Sequence, residues 1–132
     1  MYREDHTRLL ILVVEDVAET RDGIEKLLTT DGYRTTLARD ERDAIESARR
    51  KCPDLILVSL AGLPSEVIAA ARRIREHAEL GNLVPVVIFC IDTINEGDDL
   101  AIGENVHISR PDNFNQLRRL LTRLLHEVPL AA

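Results

Sequence analysis

Short apolar runs alternate with longer amphipathic segments along this chain of 132 residues. Two of the runs are apolar at almost every position, which is typical of parallel strands covered by helices on both faces. The other runs are shorter or are mixed with threonine and proline, and they also predict strands. The predicted strands are residues 9–14, 33–38, 54–59, 84–91 and 106–109.

The segments between these strands place apolar residues at the spacing of an α-helix. Residues 17–30, for example, put Ile24 and Leu28 on one face and are followed by Gly32, a common residue at helix ends. Residues 41–51 and 65–77 predict two further helices of the same kind. Strands and helices in alternation indicate a doubly wound α/β sandwich.

The sequence predicts the last two helices with different clarity. Residues 95–102 are short, acidic and interrupted by Gly97, which costs about 1 kcal/mol relative to alanine inside a helix. We therefore expect a short or frayed fourth helix there. The final helix begins after Asp112 or Asn113 as its N-cap and carries a leucine stripe that suits either packing on the sheet or a dimer surface. That stripe consists of Leu117, Leu120, Leu121, Leu124 and Leu125.

The length and charge of the chain limit its function. We predict one domain at residues 9–128, a flexible tail at residues 1–8 and a C-terminal tail at residues 129–132. A net charge of -6 argues against direct nucleic-acid binding, which needs a basic surface. No signal peptide or membrane span is recognised, and Cys52 and Cys90 lack metal-site spacing, so we expect a cytoplasmic protein with reduced thiols.

Polar residues follow two of the predicted buried strands. The strand at residues 54–59 ends in Ser59, and the strand at residues 9–14 is followed by Glu15 and Asp16. Because the carboxyl ends of parallel strands meet at one edge of an open sheet, where ligands bind, we expect these side chains to lie together.

These residues resemble the receiver domain of bacterial response regulators over about residues 9–125. The strand beginning Pro53-Asp54 and the helix after Pro64 fit the family, although Pro64 stands one place later than usual. The resemblance implies a flavodoxin-like, five-stranded parallel sheet in the order 2-1-3-4-5 with helices on both faces. In the family, the strand ends in an aspartate that accepts a phosphoryl group from a histidine kinase. This sequence has Ser59 at that position.

Glu15 and Asp16 stand where the family has its acidic pair for Mg²⁺. We expect no required cofactor but a residual, weak Mg²⁺ site, because oxygen ligands remain and the third carboxylate is missing. The alternative is that Asp16 caps the first helix and Glu15 is a solvated charge. Two carboxylates about 4 Å apart repel by about 4 kcal/mol at an effective dielectric near 20, so we predict that Arg110 reaches toward Glu15 or Asp16 and replaces the metal.

The other positions that the resemblance assigns also depart from the family. Ser59 lacks the charge that would ligate the metal, so no catalytic residue is predicted. Cys90 stands where the family has threonine or serine, and Arg110 stands where it has lysine. His107 lies near the position of a switching aromatic; the alternative is a partly exposed strand histidine without a switching role.

The favoured hypothesis is an atypical receiver of two-component phosphorelay signalling that is not an enzyme and acts without phosphorylation. Its partners would be a histidine kinase, a phosphotransfer protein or an output protein, or a second copy in a homodimer. One alternative is a small-ligand or cofactor sensor that uses the strand-end pocket. Another is a phosphoacceptor that uses Asp16 or Asp54 instead of Ser59.

Overall fold

The computed structural model describes residues 9–89 and 94–126, which form one sheet with helices on both faces. The predicted tails lie outside these residues, as does Cys90. The strands are β1 Leu10–Glu15, β2 Arg34–Ala38, β3 Leu55–Ser59, β4 Val86–Phe89, β5 Asp99–Gly103 and β6 Val106–Ser109. The helices are α1 Ala18–Thr30, α2 Glu41–Arg50, α3 Pro64–His77 and α4 Phe114–His126.

The sheet has six strands in the order β2-β1-β3-β4-β6-β5. All neighbouring pairs are parallel except β5 with β6, which is antiparallel. The predicted flavodoxin-like fold is confirmed, because the five parallel strands follow the predicted order when β6 is counted as the fifth. Strand β5 is an addition at the edge.

The expectation of a short or frayed fourth helix at residues 95–102 is wrong, since residues 99–102 belong to β5 and residues 95–98 form a turn before it. The reason is a tight hairpin between β5 and β6. Glu104 and Asn105 both have positive φ, 56° and 63°, as the two central residues of a type I′ turn require. Gly103 pairs with Val106 to close this turn, so the turn directs the preceding residues back along β6.

Both faces of the sheet are buried. The side chains of α2 and α3 pack on one face, with Ala44 and Ile74 fully buried there. The side chains of α1 and α4 pack on the other face, where Leu28 and Leu121 are fully buried. The leucine stripe of the last helix therefore contributes to the core. No helix in the described part of the chain combines the length and apolar character needed to cross a bilayer.

Arg75 of α3 is a buried cation, with 4% of its surface exposed. Its Nη1 atom donates to the carbonyl oxygens of Val84, at 3.0 Å, and Asn105, at 3.5 Å. Asn105 also donates from its side-chain amide to the carbonyl of Asn82 at 2.9 Å. These hydrogen bonds connect α3, the loop before β4 and the hairpin turn, so they fix the position of the added strand.

We predict that Arg75→Ala lowers the free energy of unfolding by about 2–4 kcal/mol, because it leaves the part-buried Val84 carbonyl without this donor and removes packed side-chain atoms. Arg75→Lys should cost less, since it retains a cationic donor. Urea denaturation followed by circular dichroism measures both. Arg50→Ala, at an exposed position on α2, is the matched control, and an equal loss in Arg50→Ala would contradict the assigned role.

Candidate functional site

The predicted site residues lie at the carboxyl edge of the central strands. Strands β1 and β3 are neighbours, and their parallel register places Glu15 directly opposite Ser59. Both residues line a cleft of about 410 Å³ at this edge. The residues that line it are Glu15, Asp16, Val17, Ser59, Leu60, Ala61, Gly62, Pro64, Val67 and Phe89.

Glu15 is buried, with only 3% of its surface exposed. Its Oε2 atom accepts a hydrogen bond from the backbone N–H of Val17 at 3.0 Å, so the carboxylate satisfies a donor at the start of α1. Asp16 is exposed, and the N-cap residue of α1 is Val17, which has no side-chain capping bond. The alternative interpretation, with Asp16 as the cap and Glu15 solvated, is therefore wrong.

Arg21 is a contact at this edge that sequence reasoning missed. Its Nη1 atom donates to the main-chain carbonyl oxygen of Glu15 at 2.8 Å. The backbone N–H of Arg21 bonds to the carbonyl of Val17, which places Arg21 one helical turn after the cleft residue Val17. The spacing of four residues between Val17 and Arg21 was the signal in the sequence that could have pointed to this contact. The hydrogen bond from Arg21 fixes the end of β1.

The cleft offers oxygen ligands but few charges. Glu15 and Asp16 supply carboxylates and Ser59 supplies a neutral hydroxyl, a set that suits a hard cation such as Mg²⁺ but gives one charge fewer than three carboxylates. Within the described residues, no group of three or more histidine, cysteine, aspartate or glutamate side chains is arranged to hold a metal ion.

Ser59 is half-buried at the end of β3. A serine hydroxyl needs a base to become a nucleophile, and the cleft-lining residues of the described chain include no histidine or lysine. Asp54 lies at the other end of the strand region, where its Oδ2 atom accepts the backbone N–H of Leu10 at 2.8 Å. Asp54 is therefore remote from the cleft and cannot substitute for an acceptor there.

Arg110 does not bond to the acidic pair, so the prediction that it reaches Glu15 or Asp16 is wrong. Its Nη1 atom donates to the carbonyl oxygen of Ile94 at 3.2 Å. Its main chain is held as well, because its N–H donates to the Asp98 carbonyl at 3.0 Å and its own carbonyl accepts from the N–H of Gly97 at 2.7 Å. The segment at residues 94–98 surrounds this arginine and supplies the acceptor that the carboxylates were expected to provide.

His107 lies in the middle of β6, and the structure does not bring it to the cleft. It is opposite Val87 of β4 and Ala101 of β5, and its Nε2 atom lies 2.9 Å from Oδ1 of Asn105. Burial lowers the pKa of the His107 imidazole, and the nearby Arg123 guanidinium lowers this pKa further. The neutral ring is therefore favoured in the folded protein.

We predict that His107 makes the protein less stable as the pH falls below the usual histidine pKa of about 6.5. Because its pKa is lower in the folded state, the unfolded chain binds the proton more readily in this range, and acid favours unfolding. The variant His107→Gln should show a weaker loss of stability between about pH 7 and pH 5 in urea titrations. Identical profiles for the wild-type protein and His107→Gln would contradict the assignment.

Comparison with known proteins agrees with this fold. No family model matches the chain. The receiver domain of a sensor histidine kinase from Pseudomonas aeruginosa PAO1, with a magnesium ion coordinated in its active-site cleft, is 32% identical with a TM-score of 0.68. The match covers 90% of this chain and 98% of that domain.

Two longer proteins are also similar. Sensor histidine kinase AruS of Pseudomonas aeruginosa is 32% identical over 131 residues, and transcriptional regulatory protein ZraR of Escherichia coli K12 is 28% identical over 124 residues. The matches cover 94% and 91% of this chain, but only 13% and 27% of those proteins. The fold, the cleft at the carboxyl edge and the match to nearly the whole of a solved receiver domain agree, and the chain belongs to the receiver-domain family of two-component signalling systems.

Proposed function

We propose that this chain is an atypical receiver that signals through protein contacts and without phosphorylation. The observation that carries the proposal is Ser59 at the end of β3, opposite Glu15. By resemblance, this is the position of the phosphoacceptor aspartate. A serine cannot form the acyl phosphate of a receiver, and the described residues that line the cleft include no histidine or lysine to activate its hydroxyl.

The position of Arg110 also supports the proposal. A cation that binds phosphoryl oxygens must have its guanidinium directed at the cleft. In this chain the guanidinium donates to the Ile94 carbonyl, and two main-chain hydrogen bonds hold the residue beside Gly97 and Asp98. Moving Arg110 into the cleft would break its bond to Ile94, so the charge is not pre-positioned for a phosphoryl group.

The same site would bind Mg²⁺ only weakly. If the ion binds, Glu15, Asp16 and Ser59 are the residues that would hold it, and the ion would offset the repulsion between the two carboxylates. Among the described residues that line the cleft, Glu15 and Asp16 are the carboxylates. The domain is therefore proposed as a binding module and not as an enzyme.

The partner would be another signalling protein, namely a histidine kinase, a phosphotransfer protein or an output protein, or a second copy of this chain. The acidic net charge of -6 disfavours nucleic acid as a direct partner. The Asp54 alternative is disfavoured because that carboxylate already accepts the Leu10 N–H away from the cleft.

We predict that incubation with acetyl phosphate and Mg²⁺ leaves the intact mass of the wild-type protein unchanged. The physical reason is that Ser59, and not an aspartate, occupies the acceptor position at the end of β3. Ser59→Asp is the matched variant, because it restores a carboxylate at that position. A gain of one phosphoryl group on the wild-type protein, located by tandem mass spectrometry to Asp16 or Ser59, would refute the proposed mechanism.

We further predict that Ser59→Asp raises the affinity for Mg²⁺ at least about tenfold, because a third carboxylate adds charge within ligand distance of the ion. Isothermal titration calorimetry with magnesium chloride measures the change. Ser59→Ala removes the hydroxyl without adding charge and should show no gain. Wild-type binding as tight as that of Ser59→Asp would contradict the assignment of a weak site.

A further inference from the structure

Strand β5 gives this molecule a sheet edge in the place where a fourth helix was expected. It pairs with β6 on one side, and no strand within residues 9–89 and 94–126 pairs with its other side. Four of its five residues are exposed and only Ile102 is partly buried. An edge strand of this kind presents unpaired backbone groups to other chains.

The hydrogen-bond pattern identifies which backbone groups face outward. The N–H of Arg110 donates to the carbonyl of Asp98 and the carbonyl of Arg110 accepts from the N–H of Gly97, so Gly97 and Asp98 together form a bulged hydrogen-bonded pair with Arg110. Such pairs alternate with non-bonded pairs along an antiparallel ladder. Asp99 and Ala101 belong to the non-bonded pairs, opposite Ser109 and His107, and their N–H and C=O groups point away from β6.

The free length of this edge is short. The ladder is irregular between Ala101 and Gly103, and the carbonyl oxygen of Ile102 accepts a hydrogen bond from Nη2 of Arg72 at 3.4 Å. The donors and acceptors that remain available are therefore those of Asp99 and Ala101. Leu100 lies between them, with 50% of its surface exposed.

Charges of both signs lie around the edge, since Arg118, Arg119 and Arg123 line a cavity together with Asp99. Glu104 pairs with Arg72 at 2.7 Å, and Asp99 lies 3.5 Å from Arg123. Glu96 and Asp98 have no cationic partner within 4 Å in the described part of the chain. The edge thus combines two outward-facing residues, one exposed leucine and, just before the strand, two acidic side chains without a cationic partner among the described residues.

We propose that β5 accepts an extended, basic segment of a protein partner as an added strand. Main-chain hydrogen bonds to Asp99 and Ala101 would supply affinity, as in other cases of strand addition. An apolar side chain of the segment would cover Leu100, and a flanking lysine or arginine would lie beside Asp98. The inference rests on the proposed function in one respect, namely that the chain acts through a protein partner.

A second copy of this chain is less suitable for the same edge. Each copy carries a net charge of -6, so pairing two copies would bring like charges together. The pairing that is symmetric about Leu100 would also place both Asp99 side chains on one face of the joined sheet. The short, irregular and acidic edge is of the kind that disfavours edge-to-edge pairing of identical chains.

The test uses a labelled heptapeptide, Lys-Thr-Val-Thr-Lys-Thr-Val, as the probe, because residues two apart lie on one face of a strand, as Asp98 and Leu100 do. We expect saturable binding by fluorescence anisotropy, with amide shift changes at Asp99 and Ala101 in nuclear magnetic resonance spectra. Binding should weaken at 0.5 M salt, because exposed charges are screened. A peptide with glutamate in place of lysine, and a peptide that is N-methylated at alternate amides, should each bind at least about tenfold more weakly.

Asp98→Lys is the critical variant. The Asp98 side chain is exposed, and the substitution leaves the main-chain hydrogen bonds of this residue in place. It should weaken lysine-peptide binding about fivefold or more and strengthen glutamate-peptide binding. Asp22→Lys makes the same charge change at an exposed position of α1 and should have little effect. Ala101→Pro removes an outward N–H and should also weaken binding, with circular dichroism as the check on folding.

Several outcomes would overturn the proposal. These are the absence of binding at millimolar peptide, equal binding of the N-methylated peptide, and shift changes confined to other elements. Self-association that is lost in Ala101→Pro, without peptide binding, would identify a second copy as the occupant instead. A phosphoryl gain in the acetyl phosphate experiment would overturn the proposed function without affecting the peptide result, so the two failures are distinguishable.

Discussion

The parallel pairing of β1 with β3 is the constraint on which the rest of the structure depends. Five consecutive residue pairs join these strands, from Ile11 with Leu55 to Glu15 with Ser59. Both strands are buried on both faces, so a shift of one residue would move every side chain to the opposite layer. The same register brings the acidic end of β1 against Ser59, which means that the stability of the core and the composition of the cleft have one cause.

The hydrogen bonds of Arg110 hold its guanidinium away from the acidic pair. The hairpin of β5 and β6 leads the segment at residues 94–98 past Arg110, which is held by Ile94, Gly97 and Asp98. The hairpin is in turn anchored to α3 through Arg72 and Arg75. Arg110 is therefore held away from the acidic pair by the hairpin, and the segment before it, that lie where a fourth helix was expected.

The parallel sheet could be predicted from the sequence and the hairpin could not, for physical reasons. Consecutive apolar residues mark a strand that is buried on both faces, and β1 and β3 were predicted on that basis. In β5 only Ile102 is partly buried, so its composition resembled a polar loop. Its conformation depends on the left-handed residues Glu104 and Asn105, and a type I′ turn is usually signalled by an Asn-Gly or Asp-Gly pair.

The site residues show a similar limit. Ser59, Glu15 and Asp16 could be placed together because strand ends converge at one edge. The burial of Glu15 could not be predicted, because it depends on β1 continuing for one residue beyond its apolar run and on the way the chain enters α1. The partner of Arg110 was missed because Ile94 is close to it only through the folded hairpin.

The hairpin therefore connects the cleft with the exposed edge of the sheet. Asp98 bonds to Arg110 through its main-chain carbonyl and directly precedes β5, so the residues that hold the arginine are continuous with the residues offered to a docked strand. A ligand shifts a conformational equilibrium only as far as it binds one state better than the other. A strand that pairs with Asp99 and Ala101 requires the ordered hairpin, and its binding energy would stabilise the state in which Arg110 is held away from the acidic pair. Under the proposed function, contact with a partner would thus stabilise the hairpin that holds Arg110.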